Sequence, residues 1–490
     1  MINVTNLTFA YEGSFENIFD NVSFQIDTDW KLGFTGRNGR GKTTFLKLLM
    51  GEYQYTGTID SSVGFEYFPY TVEDRSQDTI KAIKHICPMI KDWEILREIS
   101  LLDISEEILG RPFETLSNGE QTKVLLAAMF LKSNQFLLID EPTNHLDAEG
   151  RKIIGEYLKQ KKSFILVSHD RTLLDACVDH MLSINRTNIE IQQGNFSSWW
   201  HNKQLQDSFD IAENIKLKKK ISRLSQAAKR TKKWSERAET RKYGPTDSGG
   251  MLDRGYVGHK AAKIMKRAKS QENRMRDAIK EKSGLLHNIE QNDSLRISPL
   301  SFPKRVLAES RDLSIFYGDM RVFSHVNFQI NRGERIALTG KNGSGKSSLL
   351  RLICGENIEH TGSLSVAGGL LVSYVSQDTS SLKGGLSEYA VSCGIDESLF
   401  KAILRKLGFE RIQFENDIAA FSEGQKKKVL ISRSLCEQAH LYVWDEPLNY
   451  VDVISRMQIE ELLLSCRPTL LFVEHDISFQ NSIATAKIEL

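Results

Sequence analysis

Two glycine-rich stretches of this 490-residue chain have the residue types and spacing that hold phosphate groups. GRNGRGKTT at residues 36–44 and GKNGSGKSS at residues 340–348 both fit the pattern G-x-x-x-x-G-K-[ST]. A short apolar run precedes each stretch and a helical pattern follows it, which is the context that the motif needs. Backbone N–H groups of such a loop surround β- and γ-phosphates, and the helix N-terminus adds positive potential. We therefore expect Lys42 and Lys346 to reach the phosphates of a nucleotide.

An apolar run that ends in Asp-Glu follows each phosphate loop, as FLLIDE in the first half and LYVWDE in the second. The apolar residues predict a buried strand, and open α/β sheets bind ligands at the carboxyl ends of their strands. The aspartates there suit Mg²⁺, and the glutamates that follow suit polarisation of an attacking water. The predicted metal-binding residues are Thr43, Asp140, Ser347, Gln377 and Asp445. The predicted catalytic residues are Glu141, Glu446, His169 and His475.

Further candidates flank these motifs. A lone histidine is more often structural than functional, but His169 and His475 recur 29 and 30 residues after the motif aspartate, each behind an apolar strand. That repetition favours contact with the γ-phosphate. Tyr11 and Tyr317, upstream of the loops, are candidates either for stacking on adenine or for packing within the fold. Gln377, in YVSQD, is a candidate sensor of the metal or the water.

The motifs recur in the same order and register in both halves of the chain. The loop lysines, the serines of LSNGEQ and FSEGQK, the motif aspartates and the histidines are each separated by 304 to 306 residues. Four motifs that keep register over that distance indicate one domain used twice. The sequence predicts an α/β fold with a first domain at residues 1–203, a linker at 204–303 and a second domain at 304–490.

Together, the phosphate loop, the LSNGEQ-type signature, DEPTNHLD and the histidine resemble the ATP-binding cassette superfamily, over the whole chain except the linker. The resemblance implies two tandem ATP-binding cassette domains, here the first and second cassettes, that hydrolyse ATP with Mg²⁺. It also implies that the cassettes pair head to tail within a monomer. Site one then combines the first phosphate loop with Ser422 and Gly424, and site two combines the second loop with Ser117 and Gly119. Each signature opens a helix, whose N-terminus favours phosphate.

The resulting nucleotide-binding set lies in the loops, the signatures and the flanking tyrosines. It comprises Tyr11, Gly36, Asn38, Gly39, Gly41, Lys42, Thr43, Thr44, Ser117, Gly119, Glu120, Tyr317, Gly340, Asn342, Gly343, Gly345, Lys346, Ser347, Ser348, Gln377, Ser422, Gly424 and Gln425. The two sites are not equivalent, because Tyr70 stands where the second cassette has Gln377, and Tyr450 stands where the first has His145. We expect unequal hydrolysis rates, although the motifs do not indicate which site is slower.

Length and composition agree with a globular protein of two or three domains. The N-terminal residues lack the basic and apolar segments of a signal peptide, and no apolar run approaches the ~20 residues that span a bilayer. The six cysteines are scattered without a C-x-x-C pair. That pattern favours reduced thiols in the cytoplasm over a disulfide framework or a zinc site.

The net charge of +2 conceals a strongly basic segment. Residues 213–285 contain 22 Lys and Arg against 8 Asp and Glu, an excess of 14 positive charges, so the rest of the chain carries a net charge of −12. An excess of this size, confined to one segment, favours a nucleic-acid partner over a merely solvated helical face.

The linker is predicted to be an antiparallel coiled-coil hairpin. Apolar residues recur at alternating spacings of four and three from Leu217 and, after a glycine-rich tip at residues 243–258, from Ala261. A 35-residue helix rises ~1.5 Å per residue, so the hairpin would project on the order of 50 Å. Basic residues on its flanks would neutralise RNA phosphates without reading sequence. These include Lys232, Lys233, Lys266 and Arg267.

The tip contains glycines and a proline that exclude regular helix, yet it carries apolar and aromatic side chains. Those side chains have no core of their own to enter. We favour contact with a crevice of the partner over a self-packed tip. The candidate contact residues are Tyr243, Met251, Leu252, Tyr256 and Val257.

Tandem cassettes in one chain, joined by a long charged linker, resemble the F subfamily of the superfamily, which acts on the ribosome. The short first cassette and KYG…RGYVG at the tip resemble its resistance-conferring Lsa group. The resemblance implies binding at the exit site of the 70S ribosome, with the linker near large-subunit RNA and P-site tRNA. From there the linker would displace lincosamides, pleuromutilins and streptogramin A compounds. A cytoplasmic, ribosome-associated location is implied as well.

Three other functions stay open at this point. One is a housekeeping translation factor on the same scaffold with no drug involved. A second is the ATPase subunit of an exporter whose membrane part is a separate chain. A third is a DNA-repair or chromosome ATPase, although those usually carry longer coiled coils or zinc sites.

Overall fold

A computed structural model gives the fold of the chain. It describes residues 1–12, 17–144, 146–185, 188–240, 295, 297–318 and 320–490, together with 266, 269–270 and 273–274. The chain divides into two compact units, one made of Met1–Trp199 and Asn292–Leu490 and the other of Trp200–Gln291. Both predicted cassettes therefore lie in the first unit.

The first cassette is built on a central sheet in the order β5-β6-β7-β3-β8-β9, parallel except at β9, beside an antiparallel sheet β2-β1-β4. Its strands are β1 (Ile2–Phe9), β2 (Phe19–Ile26), β3 (Lys31–Thr35), β4 (Thr56–Ser61), β5 (Gly64–Phe68), β6 (Gln135–Asp140), β7 (Phe164–Val167), β8 (His180–Asn185) and β9 (Asn188–Gln193). Its helices are α1 (Lys42–Leu49), α2 (Thr79–Ile86), α3 (Asp92–Leu101), α4 (Asn118–Phe130), α5 (Ala148–Gln160) and α6 (Arg171–Cys177).

The second cassette repeats this plan, with a parallel sheet β14-β15-β16-β12-β17 and an antiparallel sheet β11-β10-β13. Its strands are β10 (Val306–Tyr317), β11 (Met320–Asn331), β12 (Arg335–Thr339), β13 (His360–Val366), β14 (Val372–Val375), β15 (Leu441–Asp445), β16 (Leu470–Val473) and β17 (Ala486–Glu489). Its helices are α8 (Lys346–Ile353), α9 (Leu386–Ser392), α10 (Glu397–Lys406), α11 (Glu423–Cys436), α12 (Val453–Cys466) and α13 (Ile477–Ile483). The chain already enters this core at Leu295 and Ile297, before the predicted start at residue 304.

The parallel sheets explain the apolar runs of the sequence. Strands β7 and β16 are wholly buried, because a parallel sheet is covered on both faces. In each cassette the strand that ends in the Asp-Glu motif (β6 or β15) and the strand before the histidine (β7 or β16) run parallel to the phosphate-loop strand (β3 or β12). Their carboxyl ends therefore lie at the same edge of the sheet. The predicted convergence of the motifs is therefore present in both cassettes.

The second unit contains most of a 45-residue helix, α7 (Phe196–Thr240). This helix begins eight residues before the predicted linker start at residue 204. Of the predicted seam residues on this helix, Leu217 is buried and Ile221 and Leu224 are partly buried, which agrees with the predicted apolar seam. Lys266 is exposed. No helix in the described ranges is both long and apolar enough to cross a membrane.

Several linker predictions lie outside the described residues. They concern Arg267, the pairing of the second arm, the tip residues Tyr243, Met251, Leu252, Tyr256 and Val257, and the side chains of Lys232 and Lys233.

Candidate nucleotide sites

The phosphate-loop lysines lie inside their own loops. Lys42 Nζ donates to the Gly36 carbonyl at 2.7 Å, and Lys346 Nζ donates to the Gly340 carbonyl at 2.9 Å. Both lysines are buried, and burial lowers the pKa of each. A buried ammonium group has lost its contacts with water and needs an anionic partner in their place. A phosphate group in the loop would be such a partner, because it accepts charge-assisted hydrogen bonds from the lysine.

Glycine is required where each loop turns into its helix. The N-cap residues Gly41 and Gly345 have φ of 88° and 91°, in the left-handed region. A Cβ atom on Gly41 would also lie 2.5 Å from Cγ2 of Ile18. Gly39 and Gly343 take the same backbone, with φ of 83° and 82°. The two loops therefore have matching conformations.

The motif aspartates face the hydroxyl that follows each loop lysine. Asp140 Oδ2 accepts hydrogen bonds from Thr43 Oγ1 at 2.8 Å and from the Tyr67 hydroxyl at 3.0 Å. Asp445 is fully buried, and neither of its carboxylate oxygens accepts a hydrogen bond of normal geometry from the described residues. Burial raises the pKa of Asp445, opposed by the Ser347 side chain. A buried carboxylate beside a serine hydroxyl fits Mg²⁺, which prefers oxygen ligands.

The catalytic candidates form the same pair in both cassettes. Nε2 of His169 lies 3.3 Å from Oε1 of Glu141, and Nε2 of His475 lies 3.4 Å from Oε1 of Glu446. Both glutamates have a positive φ, 50° and 46°, which costs a non-glycine residue about 1–3 kcal/mol. Strain repeated at one position in two domains indicates a functional constraint on the direction of the carboxylate.

The two glutamates differ in their hydrogen bonds. Glu446 Oε2 accepts from Gln377 Nε2 at 2.9 Å and from Asn449 Nδ2 at 2.5 Å. Burial by itself would raise the pKa of Glu446, but His475, Lys427 and Gln377 outweigh it, so the pKa is lowered. Gln377 thus lies beside Glu446, the predicted catalytic glutamate of the second cassette.

Among the described residues, no side-chain amide donates a hydrogen bond to Glu141. Burial and the neighbouring Asp140 raise the pKa of Glu141 to about 8. Tyr70, at the position of Gln377, lies with its ring 5.8 Å from the Lys132 ammonium group. Burial also lowers the pKa of His169 well below its usual value, so this imidazole is neutral.

The signatures begin helices, as predicted. Helix α4 starts after Ser117, whose Oγ accepts from the Glu120 N–H at 3.3 Å, and α11 starts after Ser422, whose Oγ accepts from the Gln425 N–H at 3.4 Å. The side chains of Glu120 and Gln425 accept hydrogen bonds from the backbone N–H groups of Ser117 and Ser422 at 2.8 and 2.9 Å. Each helix therefore begins with a complete capping box.

Site one brings the first phosphate loop against the signature of the second cassette. Asn38 Nδ2 donates to the Tyr450 carbonyl at 2.6 Å. A Cβ atom on Gly424 would lie 2.5 Å from the same nitrogen and 2.2 Å from the Tyr450 carbonyl oxygen. Gly424 therefore has to be glycine for the loop and the signature to meet.

Site two is more open. The nearest side chain to Gly119 is Leu146 of its own cassette, and a Cβ atom on Gly343 would meet nothing within 4 Å. Asn342 is exposed, unlike the partly buried Asn38. Within the described ranges, no hydrogen bond or ion pair joins residues 340–345 to the first cassette.

The flanking tyrosines are tied to the loop helices. The Tyr11 hydroxyl lies 2.7 Å from Thr44 Oγ1, and the Tyr317 hydroxyl lies 3.0 Å from Ser348 Oγ. The two tyrosines are 43% and 53% exposed. Thr44 and Ser348 thus orient the tyrosines, and the Tyr11 ring also packs edge-on at 5.7 Å from Tyr53.

Sequence reasoning missed a buried ion pair beside site one. Lys428 Nζ lies 2.5 Å from Asp452 Oδ2, and their side chains are 3% and 0% exposed. The ammonium group of Lys428 holds the pKa of Asp452 well below its usual value against the opposing effect of burial. The only sequence signal was the run of three lysines after the signature, which resembles an ordinary charged helix face.

Comparisons with known proteins agree with this geometry. The model of the ABC transporter family matches residues 19–144 and 323–449. The chain is 26% identical to the ribosome protection protein VmlR of Bacillus subtilis (strain 168), over 99% of this chain and 86% of that protein. It is also 26% identical to the probable ATP-binding protein YheS of Escherichia coli (strain K12), over 94% of this chain and 74% of that protein.

Solved structures share the fold. In the crystal structure of archaeal ribosomal stalk protein aP1 with the ribosome recycling factor aABCE1, the matching chain has a TM-score of 0.62 at 18% identity. The match covers 99% of this chain and 87% of that one. The family match spans more than half of the chain and includes both phosphate loops and both Asp-Glu motifs. The chain belongs to the ABC transporter family, has two of its ATP-binding domains, and is an ATPase that uses ATP with Mg²⁺.

Proposed function

We propose that this ATPase is an F-subfamily protein that acts on the ribosome and protects it from antibiotics of the peptidyl-transferase centre, in the manner of the Lsa group. The observation that carries the proposal is the similarity to the ribosome protection protein VmlR along 99% of the chain, so that it includes the linker as well as the cassettes. The proposed drug classes are lincosamides, pleuromutilins and streptogramin A compounds. The proposed location is the cytoplasm, on the 70S ribosome.

The cassettes supply the conformational change. Lys42 and Lys346 bind the phosphates, and the signature of the opposite cassette closes over them; the close approach of Asn38 to Gly424 supports this at site one. Mg²⁺, when bound, neutralises charge on the phosphates. Glu141 and Glu446 polarise the attacking water, and hydrolysis lets the cassettes separate. ATP therefore favours the closed state, and the binding energy of that state drives the work.

The linker supplies the contact with the ribosome. The excess of 14 positive charges over residues 213–285 neutralises ribosomal RNA phosphates and tRNA phosphates near the P site. Residues 243–258 enter the region of the drug and shift the RNA or tRNA around it. Binding of the closed protein at the exit site places the linker for this role, and hydrolysis then releases the protein.

A hydrolysis-deficient variant tests ribosome binding. Glu141→Gln with Glu446→Gln keeps the shape of both side chains and removes both bases. The variant should co-sediment with ribosomes in ATP, whereas the unchanged protein should dissociate after turnover. A double variant that never co-sediments would refute the proposal.

A tip variant tests drug protection. Replacing residues 251–257 by glycine and serine should abolish protection of a susceptible strain while ATPase activity survives. The control replaces the five residues of the partly exposed turn at 367–371 of the second cassette by glycine and serine, which should leave protection intact. Equal protection by the tip variant and the intact protein would show that residues 251–257 are not needed for protection from the drugs.

The second candidate is an F-subfamily translation factor without a drug role. It is favoured by the equal identity, 26%, to YheS, whose name indicates only ATP binding. Deletion of the gene separates the two candidates. Unchanged sensitivity to lincosamides and pleuromutilins, together with ribosome binding of the Glu→Gln double variant, would support this second function.

A further inference from the structure

The first phosphate loop contains two arginines, Arg37 and Arg40, at positions that the second loop fills with Lys341 and Ser344. A cation in such a loop is expected to face either the nucleotide or the solvent. Both arginines instead reach the second cassette, and they contact a segment just beyond helix α10 that none of the sequence motifs includes.

Arg37 is buried in this contact, with 7% of its surface exposed. Its Nη1 lies 3.5 Å from the carbonyl oxygen of Lys406, towards which it donates, at the end of α10. Gly408 lies beneath the guanidinium group: a Cβ atom there would be 2.7 Å from Nη1 and 3.3 Å from Cδ of Arg37. Gly408 also has a φ of 91°, so any other residue would be both strained and in the way.

Arg40 makes the second contact, an ion pair. Its Nη1 lies 2.8 Å from Glu410 Oε1, with side-chain exposures of 24% and 48%. Gln413 of the same segment lies close as well, since its Nε2 would be 3.9 Å from a Cβ atom on Gly39. Lys406, Gly408, Glu410 and Gln413 of this segment therefore all lie close to the first loop.

The equivalent positions at site two lack these features. Lys341 is exposed, Asp103 stands where the second cassette has Gly408, and Ser105 stands where it has Glu410. Serine replaces both members of the Arg40–Glu410 pair, because Ser344 is the counterpart of Arg40. The contact is thus a property of site one and not of the repeated domain.

We propose that Arg37 and Arg40, with residues 406–413, form an interface clasp that holds the second cassette over site one. Both arginines are positioning residues, because they act through the placement of Gly424 and Ser422 on the nucleotide. The clasp keeps site one closed when site two opens, so nucleotide leaves site two first. This inference concerns the ATPase cycle and does not depend on the ribosome.

The test measures release of a fluorescent ATP analogue from each site separately. Glu141→Gln with Lys346→Ala retains the analogue at site one only, and Glu446→Gln with Lys42→Ala retains it at site two only. Arg40→Glu places two carboxylates against each other, and should speed release from site one about tenfold. Release from site two should change less than about twofold.

Charge exchange distinguishes positioning from damage to the fold. Arg40→Glu combined with Glu410→Arg restores the ion pair in reverse, and should return release from site one to within about twofold of the starting rate. Arg37→Lys gives the first loop the residue of the second, and should speed release from site one about threefold. Arg311→Glu, in an ion pair on the surface of the second cassette, is the matched control and should change neither rate.

Two results would overturn the clasp. One is equal acceleration of both sites by Arg40→Glu, which would mean that the arginine supports cassette pairing in general. The other is an unchanged rate at site one, or a raised rate that the charge exchange does not lower, because the ion pair would then have no role in closure.

Discussion

Site one and site two use the same motifs in different surroundings. At site one the loop asparagine bonds across the interface at 2.6 Å and the signature glycine is buried, whereas at site two the loop is exposed. The predicted catalytic residues show the opposite balance, since Glu446 accepts hydrogen bonds from two side-chain amides and Glu141 accepts none from a side-chain amide of the described residues. Site one, which is the more enclosed site, therefore has the glutamate with less hydrogen-bond support. Motif identity fixes which groups are present, and the neighbours decide how they behave.

The largest difference between the two sites is expected in stability. Lys428→Met leaves Asp452 buried without its partner, which should cost about 3–5 kcal/mol. Lys123→Met, at the equivalent and partly exposed position, should cost less than about 1 kcal/mol, because Lys123 has no ion-pair partner among the described residues. Urea unfolding of both variants measures the difference. Equal losses in the free energy of unfolding would show that the Lys428–Asp452 ion pair does not stabilise the fold more than Lys123 does.

The same variants predict a pH dependence. The pKa of Asp452 is lowered in the folded protein, so its pairing stabilises the fold above about pH 4, the pKa of the unfolded group. That stabilisation should be lost as pH falls further towards the folded pKa. The stability gap between Lys428→Met and the unchanged protein should therefore narrow below pH 4, and a constant gap would contradict the assignment.

The raised pKa of Glu141 predicts a second difference. A base works when ionised, so kcat/KM of Glu446→Gln, in which only site one hydrolyses, should rise about tenfold between pH 7 and 9. For Glu141→Gln, in which only site two hydrolyses, kcat/KM should stay flat over this range, because the pKa of Glu446 is lowered. Steady-state ATPase assays at constant ionic strength distinguish the two. Parallel profiles would mean that the two carboxylates titrate alike.

Gln377 and Tyr70 provide a smaller contrast. Gln377→Ala removes a donor from Glu446 and should lower turnover at site two about fivefold. Tyr70→Ala should change turnover at site one less than about twofold, since the Tyr70 ring faces Lys132. Each variant is assayed in the background that leaves only the relevant glutamate active. Loss of activity with Tyr70→Ala would show that this tyrosine assumes the role of the glutamine.

The smallest expected effect concerns the flanking tyrosines. Tyr11→Ala loses ring contacts with Phe9 and Tyr53 and should destabilise the fold by about 1 kcal/mol. Tyr317→Ala removes a ring that is 53% exposed and should mainly raise the KM for ATP, by about threefold. Thermal unfolding and ATPase assays separate packing from stacking. A Tyr317 variant with unchanged KM would leave packing as the better interpretation.

Much of the site could be predicted from the chain because its parts are local. Loop glycines, the capping serines and the residue at the end of a buried strand are specified by short segments, and they recur in register. The direction of Arg37 could not be predicted, because its residue type indicates donors but not the carbonyl that they find across the interface. The displacement of Tyr70 towards Lys132, and the pairing of Lys428 with Asp452, depend in the same way on residues distant in sequence.

The left-handed backbone of both predicted catalytic glutamates, Glu141 and Glu446, limits which substitutions the two positions can accept. A glutamine at either position would have the same backbone strain. A Glu→Gln substitution therefore removes the charge without relaxing the backbone, and its effect on activity reports the role of the carboxylate. Glycine at either position would relieve the backbone strain and remove the carboxylate. A Glu→Gly variant should therefore be more stable but lack the predicted base. At these two positions the predicted catalytic role costs thermodynamic stability, so selection for stability alone would favour replacement of the glutamates.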